Sequence, residues 1–129
     1  MLTAASATHL AAMTGLKELN VHSVRLPDAA IRSLTKIKSL TALDIAFSLV
    51  SDETLAEIAT LPGLKQLNLA VCPNVTLKGI KNLAPLRLNS IQLASLGSAA
   101  SLDEKELFKL AKETLPGCEV STYNHHFKP

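Results

Sequence analysis

His22 is the residue of this chain whose neighbours most resemble a catalytic arrangement. Glu18 and Asn20 precede it at spacings of four and two, so on a β-strand the three side chains would point to the same side. A histidine in that position could act as a general base if a nucleophile lay within hydrogen-bond reach. Its expected neighbour on the adjacent strand is Ala46, and the strand itself offers no nucleophile. We therefore predict a solvated histidine and no catalytic residue.

His125, His126 and Cys118 are the residues that suggest a metal site. Adjacent histidines on an extended chain point apart, whereas a zinc site needs three or four convergent ligands. The chain also contains no phosphate-binding loop, nucleophile elbow or paired-carboxylate arrangement. The sequence thus predicts no metal, no cofactor and no enzymatic activity, and a loose tail after about Thr122.

A pattern of apolar residues recurs every 24 residues and dominates the rest of the chain. It begins at positions 16, 40, 64 and 88, for example as Leu16-Lys17-Glu18-Leu19-Asn20-Val21 and as Leu64-Lys65-Gln66-Leu67-Asn68-Leu69. Self-similarity at a period of about 20 to 29 residues is typical of a leucine-rich-repeat solenoid, in which successive units stack.

Each repeat has a strand half and a helix half. The strand half alternates apolar and polar residues, whereas the helix half spaces its apolar residues by three, as in Leu55, Ile58 and Leu61. Ser51 is expected to cap the second of these helices, and the segment 101–104 fits a capping box before the last one. The chain is thus predicted to contain five parallel strands and five helices.

The expected organisation is one domain over residues 1–129. Residues 1–15 would form a partial N-terminal repeat or cap helix, followed by repeats at 16–39, 40–63, 64–87 and 88–114 and by a closing strand and tail at 115–129. The partial first repeat lacks its strand, which favours a fragment of a longer protein over a native cap. An uncapped N-terminal edge would permit self-association.

The third repeat, Leu64 to Ile80, resembles the cysteine-containing leucine-rich repeat LxxLxLxxCxx(I/V)TxxG(L/I). Val50-Ser51-Asp52-Glu53-Thr54-Leu55 is similar to the 24-residue bacterial repeat, and Leu115-Pro116-Gly117-Cys118 looks like the end of a ribonuclease-inhibitor-type repeat. The resemblance covers roughly residues 7–122. It implies an α/β right-handed horseshoe with a parallel sheet on the concave side, helices on the convex side, and a role in binding proteins.

This resemblance also raises a question about the turns between repeats. The ladder position that such families fill with Asn or Cys holds Val24, Ser48, Cys72 and Leu96, so backbone bonds or water must replace part of the side-chain ladder. Cys72 and Cys118 should lie on the order of 10 Å apart by strand spacing, which is too far for a disulfide. We expect two buried thiols and a reducing compartment.

Polar side chains of the strands are expected to form columns on the concave face. The first column holds Glu18, Ala42, Gln66 and Ser90. The central column holds Asn20, Asp44, Asn68, Gln92 and, from the last strand, Glu119. The third holds His22, Ala46, Ala70 and Ala94, and beyond it lie Ser23, Phe47, Val71 and Ser95.

These columns supply the predicted partner-binding residues: Glu18, Asn20, His22, Asp44, Phe47, Gln66, Asn68, Val71 and Gln92. The polar column could read a polar or basic peptide, or it is only a solvated strand face. Phe47 and Val71 are either interface anchors or cover the edge of the core. About fifteen contact residues fall below the 20–30 per side of a standard interface, so a weak interaction or a small epitope is expected.

Composition narrows the classes of partner. The net charge is +2, and the concave columns contain no Lys or Arg, which argues against nucleic acid. The N-terminus lacks the basic region of a secretory signal, and no run approaches the roughly 18 apolar residues of a membrane span. We expect a cytoplasmic protein that does not bind membranes.

The sequence therefore favours a module that binds a partner protein or peptide on its concave face. Two alternatives remain open: a structural spacer of a larger protein, and the non-catalytic recognition part of a ligase or hydrolase. No F-box segment is present.

Overall fold

The computed structural model describes residues 9, 15–21, 25–94, 103–122 and 126–127, with only the backbone for Glu104, His126 and Phe127. Six strands form one sheet in the order β1 to β6. They are β1 (Glu18–Asn20), β2 (Ala42–Asp44), β3 (Gln66–Asn68), β4 (Ser90–Gln92), β5 (Glu119–Ser121) and β6 (His126–Phe127). The first five strands run parallel, and β6 pairs antiparallel with β5.

The register of the first four strands follows the 24-residue period. Leu19 pairs with Leu43, Leu43 with Leu67, and Leu67 with Ile91. These residues therefore occupy equivalent positions in adjacent strands, as the repeat predicts. The five parallel strands and the α/β class are confirmed.

The last parallel strand departs from the expected register. Ser90 pairs with Glu119 and Gln92 pairs with Ser121, which is an offset of 29 residues instead of 24. The prediction that Glu119 continues the central column was therefore wrong, because Glu119 lies in the first column and Ser121 in the central one. The connection from β4 to β5 contains the longest described helix, so the chain needs additional residues to return.

Four helices connect the strands in the described part of the chain. They are α1 (Asp28–Leu34), α2 (Asp52–Ile58), α3 (Leu77–Lys81) and α4 (Glu104–Thr114). Each helix contacts its sequence neighbours, and its apolar side is buried. The helix expected over residues 4–13 lies outside the described residues apart from His9, which is helical.

The caps of two helices test the sequence signals. Ser51 caps α2, since its side chain accepts a hydrogen bond from the Thr54 N–H at 3.2 Å. Helix α4 instead begins at Glu104, and the Asp103 carboxylate accepts the Lys105 N–H at 2.9 Å. The capping box expected from the residue at position 101 was therefore wrong. Asp is as good an N-cap as Ser, and Asp103 directly precedes the helix.

One apolar core lies between the sheet and the helices. It contains strand residues such as Leu43 and Ile91 together with helix residues such as Leu34, Leu55 and Ile80, and it extends from Val21 to Val120. Alternate strand residues therefore face the helices, and the residues between them face away.

Adjacent repeats are joined by acidic side chains at the helix N-termini. The Asp28 carboxylate accepts the Ser51 N–H at 2.7 Å, and 24 residues later the Asp52 carboxylate accepts the Thr76 N–H at 2.9 Å. Asp52 also accepts from the Thr76 hydroxyl, and its backbone oxygen accepts from the Asn82 side chain at 2.9 Å. Each of these aspartates fixes the start of the next helix.

The tail was expected to be loose, but the structure places β6 at His126–Phe127 against β5, pairing Val120 with Phe127 and Ser121 with His126. A strand of only two residues, outside the repeat, carries no periodicity that the sequence could reveal. Within the described ranges, no helix is both long and apolar enough to cross a membrane.

Candidate functional site

A groove of about 600 Å³ lies along the sheet. Fourteen residues line it: Glu18, Leu19, Asn20, Ala42, Leu43, Asp44, Gln66, Leu67, Asn68, Ser90, Ile91, Gln92, Glu119 and Ser121. All of them belong to β1 to β5. We call this surface the sheet groove. Its polar side chains alternate with the core-facing residues of the same strands, so the sheet groove lies on the side away from the helices.

Six of the predicted partner-binding residues come together in the sheet groove. They are Glu18, Asn20, Asp44, Gln66, Asn68 and Gln92. Glu18, Asn20 and Gln66 are exposed, whereas Asp44, Asn68 and Gln92 are half-buried. The remaining three are not among the lining residues, since Phe47 and Val71 lie just beyond the strand ends and His22 is outside the described residues.

The structure adds Ser90, Glu119 and Ser121 to the lining. Ser90 was assigned to the first column from the 24-residue period but not selected as a contact. Ser121 needs the offset of 29 residues, which the period does not supply.

Two residues of the central column also shape the backbone. The Asp44 carboxylate accepts the Ala46 N–H at 3.1 Å, and the Asn68 side-chain oxygen accepts the Ala70 N–H at 2.9 Å. Such Asx turns bend the chain as it leaves a strand. An Asx residue at the same position of successive repeats was the available sequence signal. The second carboxylate oxygen of Asp44 and the amide NH₂ of Asn68 add hydrogen-bonding capacity to the groove.

The third column differs from the prediction. Ala46, Ala70 and Ala94 are each 3% exposed and form a small apolar cluster of their own, against which Val71 packs. They were expected on the open concave surface, but the turn that follows each strand brings these small side chains together. They form an apolar border and offer little contact area.

Phe47 and Val71 occupy equivalent positions after β2 and β3. Both have positive φ, 68° and 55°, a conformation that is uncommon for any non-glycine residue and strained for a β-branched one. The Phe47 N–H donates to the Ala70 oxygen at 2.9 Å, and the Val71 N–H donates to the Ala94 oxygen at 2.6 Å. Phe47 is 43% exposed and is not part of the apolar core, while Val71 is half-buried.

Ser48 and Cys72 form part of the expected ladder. Their side chains lie 3.7 Å apart, and the Cys72 thiol donates to the Ile45 oxygen at 3.5 Å. Burial raises the pKa of the Cys72 thiol, although hydrogen bonds from Ser48 act in the opposite direction. The other two ladder positions, 24 and 96, lie outside the described residues.

Cys118 is also a free, buried thiol, as predicted. Burial and, to a smaller extent, the charge of Glu119 raise the pKa of this thiol to about 11. A thiolate is the reactive form of cysteine, so neither thiol has the character of a nucleophile. In the part of the chain that the structure describes, no three His, Cys, Asp or Glu side chains cluster so that they could hold a metal ion.

No protein-family model matches the chain, and no curated protein matches it at a significant level. Its function is therefore inferred from the geometry of the sheet groove.

Proposed function

We propose that the chain is a right-handed leucine-rich-repeat solenoid that binds a partner protein or peptide in the sheet groove. The sequential order of parallel strands at a 24-residue offset, each followed by a helix, supports this architecture. Connections between parallel strands through a helix are right-handed in about 98% of known cases. The sheet then lies on the inner side of the arc and the helices lie on its outer side.

One observation carries the proposal for the function. Polar side chains from five successive strands line a single groove, and they remain wholly or half exposed. The amides of Asn20, Gln66, Asn68 and Gln92 each supply donors and acceptors, so the groove can form many hydrogen bonds with an extended chain. A solvated face without function would not need this arrangement to form a concavity.

The size of the sheet groove favours a peptide segment as its occupant. Its fourteen lining residues are fewer than the roughly 20–30 per side of a standard interface between globular proteins. The volume of about 600 Å³ lies within the range of roughly 300–1,000 Å³ that is usual for ligand pockets.

The test is selection from a displayed library of random peptides, roughly twelve residues long, about twice the length that crosses five strands. Selected peptides are then measured against the double variant Gln66→Arg/Gln92→Arg. Both positions line the groove, and neither takes part in the Asx turns. The matched control is Ala56→Arg/Ala84→Arg, which adds the same charge at exposed positions on or near the helices.

We expect the groove variant to weaken binding by about tenfold or more, which corresponds to about 1.4 kcal/mol, and the control to bind as the wild type does. Circular dichroism establishes that both variants fold. If no selected peptide distinguishes the two variants, the groove is not the recognition surface. The spacer interpretation then replaces the proposal.

A further inference from the structure

We infer that the segment bound in the sheet groove is extended and basic, with an apolar residue between basic ones. This inference rests on the proposed function and specifies the chemistry of the partner. It follows from three properties of the described residues: the charges of the groove lining, the spacing of the carboxylates across the sheet, and the apolar border beyond the strand ends.

The charges of the groove oppose those of the whole chain. The lining contains the carboxylates of Glu18, Asp44 and Glu119, and no Lys or Arg is among the lining residues in the described ranges. The chain as a whole carries a net charge of +2. Such a groove attracts a cationic segment and repels a phosphate backbone or an acidic one. The amides between the carboxylates accept hydrogen bonds from lysine or arginine equally well.

The register fixes the distance over which these charges are spread. Glu18 and Glu119 occupy the same column on β1 and β5, so four strand spacings separate them, on the order of 19 Å. An extended peptide advances about 3.3 Å per residue, so about six residues span this distance. Two basic residues about six positions apart would therefore reach both carboxylates when the peptide lies across the strands.

The apolar border supplies the second contact. Phe47 is 43% exposed after β2, and the half-buried Val71 after β3 packs on the alanine cluster. Both lie beyond the end of the strand whose carboxylate or amide, Asp44 or Asn68, lines the groove. An aliphatic or aromatic residue of the peptide can pack there, two or three positions from the basic residue at Glu18. Exposed apolar side chains beside a polar groove suit such an anchor.

A variant without the carboxylates provides the test, measured by fluorescence anisotropy with the peptides selected above. The triple variant Glu18→Gln/Asp44→Asn/Glu119→Gln removes three charges and keeps the side-chain shapes. Asn at position 44 retains the oxygen that accepts the Ala46 N–H. The matched control, Glu53→Gln/Glu106→Gln/Glu113→Gln, removes three charges at exposed positions of α2 and α4.

The selected pool should be enriched in Lys or Arg and should carry an apolar residue. We expect the groove variant to lose about tenfold in affinity, since three partly exposed ion pairs contribute roughly 0.2–1 kcal/mol each. Binding by the wild type should weaken with added salt, and the variant should show less of this dependence. Phe47→Asn, whose new residue tolerates positive φ, should weaken binding of the same peptides by removing the apolar contact.

The inference is overturned if the selected peptides are acidic or uncharged, or if the groove and control triple variants bind equally. Both results leave the proposed function standing, provided that Gln66→Arg/Gln92→Arg still abolishes binding. The absence of any groove-dependent peptide, in contrast, removes the proposed function itself.

Discussion

Gly79 lies in α3 where the neighbouring helix leaves no room for a side chain. A Cβ atom there would collide with the Asp52 carboxylate and would lie 2.9 Å from Leu55 Cδ1. The carboxylate cannot move away at low cost, because it accepts hydrogen bonds from both the backbone and the hydroxyl of Thr76. The close approach of α2 and α3 therefore depends on the glycine.

Replacement of Gly79 by alanine tests this contact. Alanine is favoured over glycine inside a helix by about 1 kcal/mol, so propensity alone predicts a gain in stability. We expect the opposite, a loss of roughly 1–2 kcal/mol in the free energy of unfolding, because overpacking costs about 1–3 kcal/mol. Urea denaturation measures the difference.

Gly63→Ala is the control for this substitution, since the nearest atom to its Cβ would be the Leu40 oxygen at 3.7 Å, an ordinary contact. It should change stability by less than about 0.5 kcal/mol or raise it slightly. A Gly79→Ala protein as stable as the wild type would show that α2 and α3 are not in close contact.

Cys118 should make stability depend on pH in the alkaline range. Its pKa rises from 9.0 to about 11 on folding, so the thiol of the unfolded chain ionises first as the pH rises. The folded state then holds more protons, and its stability falls with rising pH. The contribution is fully present below about pH 9 and is lost as the pH approaches about 11.

Cys118→Ala removes this term. In urea denaturation under reducing conditions, the wild type should lose about 1–2 kcal/mol more than the variant between about pH 8 and pH 10.5. Val120→Ala, a buried change without a titrating group, should lower stability but keep the pH dependence of the wild type. Equal slopes for wild type and Cys118→Ala would contradict the buried thiol.

At the scale of elements, the two ends of the sheet have different neighbours. Strand β5 pairs with β4 on one side and with the antiparallel β6 on the other, so its edge is covered. An edge strand with unpaired backbone groups is a template for pairing with another chain. Strand β6 therefore separates the parallel sheet from other molecules at this end.

Deletion of residues 123–129 should expose the β5 edge. We expect the shortened chain to self-associate with increasing concentration, which sedimentation velocity would show as a rising sedimentation coefficient. Deletion of residues 128–129 alone retains β6 and should behave as the full chain does. A shortened chain that sediments like the full chain at every concentration would show that β6 does not protect this edge.

At the scale of the whole molecule, the 24-residue period predicted most of what positions the groove. Leu19, Leu43, Leu67 and Ile91 occupy equivalent places because identical spacing repeats the same strand and the same return path. The period could not predict β5, since a longer connection shifted the register by five residues. It also placed Ala46 on the open face, because periodicity carries no information about the turn that Asp44 makes through its own side chain.

The central claim is that polar side chains of successive strands recognise one peptide in the sheet groove. The most direct test is an NMR spectrum of the side-chain amide groups with and without a selected peptide. The account predicts shifted or broadened signals for the groove residues Asn20, Gln66, Asn68 and Gln92. The signals of Asn74 and Asn82, whose amides donate to Leu49 and Asp52 outside the groove, should stay in place. Shifts confined to Asn74 and Asn82, with unchanged groove amides, would contradict it.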